Sequence, residues 1–381
     1  MQKIKNIEKV AERIKKAVLN NERIILYGDS DMDGISSTVI LGEAIKSLGG
    51  NVYSVLFPDR EVDGYGLNVR ALEKLKDKAP ALLITLDLGI GNLKEIDIAN
   101  QMGFEVLVVD HHEPLGNVPN ASLIVDPKQK DDSYPFKGLA NVGITFNLCI
   151  ELLGKDISLN LKNSFLELAA MGTIADMVPQ TDQNIEIIEE GLRSLKNTFR
   201  PALRAFLDIL GDGKVFEESF PKIISALNSA ESLNFENESY VLLTSSDKEK
   251  CREMAENLLS KNRQKQMEIK NIVEEVERMI SKKSDEVIIF EGGLSWKLTL
   301  AGPVASILCN KYEKPVFIYK KLDSEATGSV RNPKGTNSVE AMKSCKELLI
   351  TYGGHINASG FRLKNENLEK FKTCLIEYFK K

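Results

Sequence analysis

A chain of 381 residues with 43% hydrophobic and 28% charged residues has the composition of globular protein and length for two or three domains. It holds no apolar run long enough to span a bilayer, and its N-terminus, MQKIKNIEKVAERIKKAV, has the pattern of a charged amphipathic helix rather than a signal peptide. A cytoplasmic location and no membrane partner are therefore expected. The net charge of −5 disfavours indiscriminate polyanion binding, although carboxylates gathered around divalent cations lower the formal charge without leaving the occupied site acidic.

In chain order, RIILYG (23–28), NVYSVLF (51–57), ALLITLD (81–87) and FEVLVVD (104–110) are short apolar runs that read as strands. Amphipathic stretches separate them, from Ser36 to Leu48, from Val69 to Lys76 and from Leu93 to Met102. Strands alternating with helices predict βαβ units, hence an α/β fold whose parallel sheet carries helices on both faces. Such a sheet receives ligands beyond the carboxyl ends of its strands. From Leu139 to Leu210 the pattern is helical, with small residues in AAMGTIADMVP that permit close packing, and it completes a first domain, 1–210.

A polar, less regular stretch from Gly211 to Ser239 leads to 247–283, which lacks Pro and Gly and predicts one long helix or two in series, so 211–284 is expected as a helical connector. Residues 285–381 restart the α/β pattern with EVIIF, a helix from Ala301 to Lys311, PVFIYKK, EATGSVRNP, YGGHINASGF and a terminal amphipathic helix, and make a smaller second domain. Trp296, the only tryptophan, is assigned to its core. Five cysteines, Cys149, Cys251, Cys309, Cys345 and Cys374, show no C-x-x-C spacing and read as buried thiols rather than a zinc knuckle or a disulfide framework.

The strand ends carry the chemistry. RIILYG runs into Asp29, Asp31, Asp33 and Gly34, ALLITLD ends on Asp87, FEVLVVD ends on Asp110, His111 and His112, and Asp176 follows the small-residue helix. Asp29 or Asp33 alone would read as a helix N-cap. Four or more acids converging on one crevice repel one another unless divalent cations neutralise them, and mixed Asp and His ligands suit manganese, with magnesium or zinc as alternatives. Two such ions would serve phosphoester hydrolysis. Zinc-protease spacing, a G-x-x-x-x-G-K-[ST] loop and a G-x-S-x-G elbow are all missing.

The three histidines, His111, His112 and His355, all sit in glycine- or aspartate-rich clusters. His355 follows Gly353 and Gly354, which allow backbone N–H groups to approach an anion, and so reads as a phosphate contact. Tyr65, in DGYGL, either packs or stacks on a nucleobase.

The order Asp31-x-Asp33-Gly34, Asp87, Asp110-His111-His112, Asp176 resembles the motifs of the DHH superfamily of phosphoesterases, and GGH with the following ASGF is similar to the signature of the DHH-associated C-terminal domain. The wording of GDSDMDGISS, FPDREVDGYGL, LDLGI, VVDHHEP, LANVGITF and GTIADMVP is closest to the RecJ-like exonucleases, in a compact form similar to the archaeal and GINS-associated nucleases. The resemblance implies a catalytic domain joined by a long helix to a substrate-binding domain, with the active site between them. It further implies hydrolysis of single-stranded DNA, or RNA, to mononucleotides with 5′→3′ polarity, two Mn²⁺ ions (Mg²⁺ as the alternative), and a replisome or GINS-type protein partner.

By the same resemblance Asp29, Asp31, Asp33, Asp87, His111 and Asp176 are metal ligands, Asp87 bridging, with Asp87, Asp110 and His112 in the catalytic group. Arg60, Ser329 and Arg331 would hold the strand's terminal phosphate, with Tyr65, Asn332, Gly353, Gly354 and His355 completing substrate contacts. The family's Ser-Gly-Arg reads Ser329-Val330-Arg331 here, which predicts a stiffer loop, and Pro303 stands where glycine is frequent. The compact plan is expected to lack the OB-like domain of bacterial RecJ. Two alternative functions remain at this point: a small-nucleotide phosphodiesterase such as an oligoribonuclease or pAp phosphatase, and a non-catalytic replisome scaffold. Intact acids weigh against the scaffold, since nothing but metal binding rewards a self-repelling cluster.

Overall fold

The computed structural model describes residues 2–114, 116–211, 216–281, 286–355 and 358–380, and the chain divides into two compact units, Met1–Asn262 and Arg263–Lys381. In the first unit the order is α1 (Ile7–Leu19), β1 (Ile24–Gly28), α2 (Met32–Ser47), β2 (Val52–Leu56), α3 (Val69–Leu75), β3 (Ala81–Leu86), α4 (Leu93–Gln101), β4 (Phe104–Val109) and β5 (Leu123–Val125). There follow α5 (Asn141–Leu153), α6 (Leu159–Ala175), α7 (Asp182–Leu195), α8 (Pro201–Leu210), α9 (Phe216–Leu227), the hairpin β6 (Ser232–Leu233) and β7 (Glu236–Asn237), α10 (Glu238–Thr244) and α11 (Lys248–Ile280).

The sheet has the order β2-β1-β3-β4-β5 and every pairing is parallel. Strands β1 and β3 are buried at every position, as expected of apolar strands covered on both faces. One face packs against α1, α2 and the later helices through residues such as Ile14, Leu41 and Leu168; the other is covered by α3 and α4 with Leu72, Leu75 and Ile96. Helix α2 lies buried along most of its length. Strand β5 and the α9 helix with its hairpin lay outside the sequence reading, because three residues carry no measurable period and Pro221 interrupts the α9 pattern. Of the segment expected as a connector, Phe220, Ile223, Leu227, Leu242 and Leu258 are buried in the first unit's core.

The second unit contains β8 (Ile289–Gly293), α12 (Leu298–Tyr312), β9 (Val316–Lys321), β10 (Glu325–Arg331), α13 (Ser338–Ser344), β11 (Thr351–His355), β12 (Ala358–Lys364) and α14 (Leu368–Phe379). Its sheet order is β11-β12-β10-β9-β8, with only β8 and β9 parallel. Ile269, Ile272 and Val276 of α11 pack with α12 on one face, where Trp296 is buried and its Nε1–H donates to Glu275 at 3.1 Å. Phe317, Val330, Phe361 and Phe371 fill the other face, beneath α13 and α14.

Two expectations are corrected here. Ser329, Val330 and Arg331 lie within strand β10 rather than a loop, and alternation sends Val330 into the core while Ser329 and Arg331 point the other way. Cys345 and Cys374 are joined in a disulfide with Cα atoms 6.2 Å apart, while Cys149, Cys251 and Cys309 are buried thiols. The partners are 29 residues apart and meet only because the end of α13 is brought against α14. Closing a loop of that size restricts the unfolded chain, so reduction or Cys345→Ser should lower the stability of the second unit by about 3 kcal/mol, read from urea unfolding with and without dithiothreitol.

Candidate metal centre

The carboxyl ends of β1, β3 and β4 meet the start of α2, the start of α5 and the end of α6. Asp31 is the N-cap of α2; its Oδ1 accepts from the backbone N–H groups of Asp33 at 3.0 Å and Gly34 at 3.1 Å. The Asp31 side chain therefore does the capping that the sequence suggested for Asp29 or Asp33. Gly34 is required, since a Cβ there would stand 2.4 Å from the Asp29 carbonyl oxygen. Asp33 is buried in the first turn and accepts from the N–H of Asn141 at 2.8 Å and of Val142 at 2.6 Å, at the positive N-terminus of α5. Asp87 follows β3 with φ of 64°, a left-handed conformation that side chains other than glycine rarely adopt outside constrained sites.

His111 Nδ1 donates to the Leu139 carbonyl at 3.1 Å, so in the neutral ring Nε2 carries the lone pair. That atom faces Asp87 Oδ1 at 3.2 Å, Asp176 Oδ2 at 3.7 Å and Asp33 Oδ2 at 3.9 Å. Among the described residues, Asp176 Oδ2 is buried and has no hydrogen-bond partner. Among the described residues, three groups have ligand atoms within 4.8 Å of one another: Asp33, His111 and Asp176; Asp29, Asp31 and Asp87; and Asp87, His111 and His112. A lone pair aimed into a cluster of carboxyl groups is a donor set for a cation, and Asp87 belongs to two of the groups.

Charge around the cluster is balanced by specific neighbours. The Arg60 fork donates to Asp29 at 3.1 and 2.6 Å and to Asp31 at 2.8 Å, and its guanidinium lies 4.4 Å from the ring centre of Tyr65, which is 69% exposed. Burial, and then the neighbouring carboxylates, push Asp33 and Asp87 well above the ordinary carboxylate range. Burial and the charge of Asp31 push Asp176 up to about 7. Burial also raises Asp29, over the opposing effect of Arg60. Burial acts the same way on Asp31, but Arg60 and the Gly34 amide outweigh it and its pKa is lowered.

Beside the cluster, His112 Nδ1 meets Asp110 Oδ1 at 2.7 Å, and Asp110 also accepts from the N–H of Ile90 at 2.9 Å and of His111 at 2.7 Å. Burial opposes charge on both partners, yet their attraction holds Asp110 well below the ordinary carboxylate range and raises His112 to about 9. Sequence reasoning did not find Asp126, which follows β5, is fully buried and is pushed up to about 7 by burial and then by Asp110. It also missed Leu139, Asn141 and Val142, which act through backbone atoms and leave no side-chain signal.

In the second unit, Ser329 pairs with Gly360 and Gly360 with Gly353, while Arg331 pairs with Ala358 and Ala358 with His355. Arg331 Nε donates to Ser306 at 3.1 Å, and a Cβ on Gly302 would come within 3.1 Å of Arg331 Nη2. Asn332 is buried directly after β10. Gly354 has φ of 125° and lies so close to β12 that a Cβ would stand 2.7 Å from the Ala358 oxygen, so strand pairing alone requires glycine there. The expected phosphate contact through His355 concerns a side chain outside the described residues, whereas its backbone closes β11.

Residues 23–173 match the DHH family, N-terminal domain, and residues 284–381 match the DHHA1 domain. The chain is 34% identical over 381 residues to the single-stranded-DNA-specific exonuclease RecJ of Bacillus subtilis, covering 98% of this chain and 48% of that protein, about half its length. The crystal structure of exonuclease RecJ bound to manganese matches with a TM-score of 0.79 and 27% identity, over 100% of this chain and 95% of that one. RecJ from Thermus thermophilus in complex with Mn²⁺ matches with a TM-score of 0.81 and 26% identity, over 99% of this chain and 55% of that one. The chain belongs to the DHH superfamily, in its RecJ-like branch.

The raised carboxyl pKa values give a pH dependence of definite sign. A carboxyl group whose folded pKa exceeds its unfolded value of about 4 stabilises the fold below that pH and loses the contribution as pH rises through the folded value, about 7 for Asp176. His112 contributes below its unfolded value and loses it as pH rises through about 9. The metal-free chain is therefore expected to melt at falling temperatures from about pH 4 to about pH 9, and saturating divalent cation should restore stability above about pH 7. Asp176→Asn removes one of these titrations; it should stabilise the metal-free chain at about pH 8 by on the order of 4 kcal/mol and diminish the cation's effect, read from melts with and without cation.

Proposed function

We propose that the chain is a metal-dependent exonuclease that hydrolyses phosphodiester bonds of single-stranded nucleic acid, DNA in preference to RNA, from the 5′ end, and releases mononucleotides. The observation that carries this reading is the convergence of the His111 lone pair with Asp33, Asp87 and Asp176 beside Asp29 and Asp31. It is supported by relatives named single-stranded-DNA-specific exonucleases and by RecJ structures that hold manganese. In this reading residues 1–210 are the catalytic domain, 211–284 a helical connector and 285–381 the substrate-binding domain.

Two divalent cations, Mn²⁺ with Mg²⁺ as the alternative, would be held by Asp29, Asp31, Asp33, Asp87, His111 and Asp176, and when bound they would lower the pKa of the attacking water and take up charge developing at phosphorus. The chain's own groups do the rest. With a pKa of about 9, His112 is an imidazolium at neutral pH, and Asp110 at Nδ1 leaves its Nε2–H to donate to a phosphate oxygen. Asp87 belongs to two of the groups and would be the ligand the two cations share.

Exposed Tyr65, backed by Arg60, offers a ring on which any base can stack. Arg60, Ser329 and Arg331 would hold the terminal phosphate through charge-assisted hydrogen bonds, with Asn332, Gly353, Gly354 and His355 along the strand.

The test is a time course on a single-stranded DNA oligonucleotide and its RNA copy, labelled at either end, with Mn²⁺ or chelator. Mononucleotides should appear from the 5′ end of DNA only with metal, and Asp87→Ala should lower the rate by roughly a thousandfold or more, the scale of losing preorganised charge stabilisation. Turnover of dinucleotides or pAp without cleavage of long strands would move the function to small nucleotides, and no turnover of any substrate would exclude catalysis.

A further inference from the structure

We propose that Asn228 is a positioning residue for the metal centre: its side-chain oxygen fixes the backbone between Asp31 and Asp33, and so sets the direction in which both carboxylates point. The inference rests on the metal-dependent reading above. The first N–H groups of a helix have no partner within it, and at α2 three of them lie inside the acidic turn. Asp31 Oδ1 takes those of Asp33 and Gly34, and Asn228 Oδ1 takes that of Met32 at 2.9 Å. Met32 is fully buried, so this N–H depends on protein acceptors.

The division of labour leaves Asp31 Oδ2, the atom that meets Arg60 at 2.8 Å, outside the capping arrangement. Asn228 lies 196 residues from Met32 and is itself held in place. Its N–H donates to Ile224 at 2.9 Å, closing the last turn of α9, and Asn262 of α11 accepts from Ser225 at 2.9 Å and Ser229 at 3.3 Å on either side of it. The acidic turn is thus braced from α11 through the end of α9.

The experiment compares the full chain with Asn228→Ala, Asn228→Asp and Asn262→Ala, using Mn²⁺ alone as the ligand in calorimetric titrations and melts, with circular dichroism as the check of folding. Asn228→Ala should weaken Mn²⁺ binding by roughly tenfold or more, the usual scale for losing a group that orients a metal ligand. Its exonuclease rate should recover toward wild type as Mn²⁺ is raised, while KM for DNA stays unchanged. Asn228→Asp keeps an acceptor for the Met32 N–H, so its Mn²⁺ affinity should stay closer to wild type than that of Asn228→Ala. Asn262→Ala should weaken Mn²⁺ binding in the same direction by a smaller factor.

A folded Asn228→Ala with wild-type Mn²⁺ affinity would overturn the proposal and leave the metal reading intact. If Asn228→Ala does not fold, the affinity of Asn262→Ala decides, and a wild-type value overturns the proposal. Wild type that binds no Mn²⁺ would overturn both readings.

Discussion

The rest of the structure is arranged around the repulsion between carboxylates that share a buried crevice. Two unit charges about 4 Å apart interact by roughly 4 kcal/mol at the effective dielectric of a protein near its surface, and here six acids and two imidazoles crowd together. The fold relieves this through backbone N–H groups on Asp31, Asp33 and Asp110, through the Arg60 fork on Asp29 and Asp31, and through proton uptake at Asp33, Asp87 and Asp176. Divalent cations at the same place remove the need for the protons, so metal binding and local stability are one equilibrium.

The start of α5 has a double part in this arrangement. The Leu139 carbonyl sets the His111 tautomer, and two residues further on the helix N–H groups hold both oxygens of Asp33. One short segment thus orients two side chains of the cluster from two different elements. Close packing keeps them in register: a Cβ on Gly172 of α6 would reach 3.2 Å from Asp33 Cα, and one on Gly34 would collide with the Asp29 backbone. The small residues of AAMGTIADMVP therefore set the depth at which α6 delivers Asp176.

The second unit uses different means. Its sheet alternates, so Ser329 and Arg331 share a face while Val330 serves the core, and valine at the middle of that triplet is a strand residue with a packing role. Gly302 brings α12 against the Arg331 guanidinium, and the neighbouring Pro303 is accommodated within the same helix. The Cys345 to Cys374 link ties α13 to α14 on the opposite face.

The sequence by itself determined the parallel sheet, the long α11 helix and the identity of the acids and imidazoles, because strand periodicity, apolar runs and the rule that ligands gather at carboxyl ends of strands are all local signals. What only the tertiary structure decided was everything that depends on distant segments meeting. Asp31 rather than its neighbours caps α2. The Arg60 guanidinium lies on two carboxylates, Asp126 joins the buried acids behind a three-residue strand, and two cysteines pair. Asn228 and the start of α5 reach the acidic turn from far along the chain through single hydrogen bonds, and a hydrogen bond has no period or composition by which a sequence could announce it.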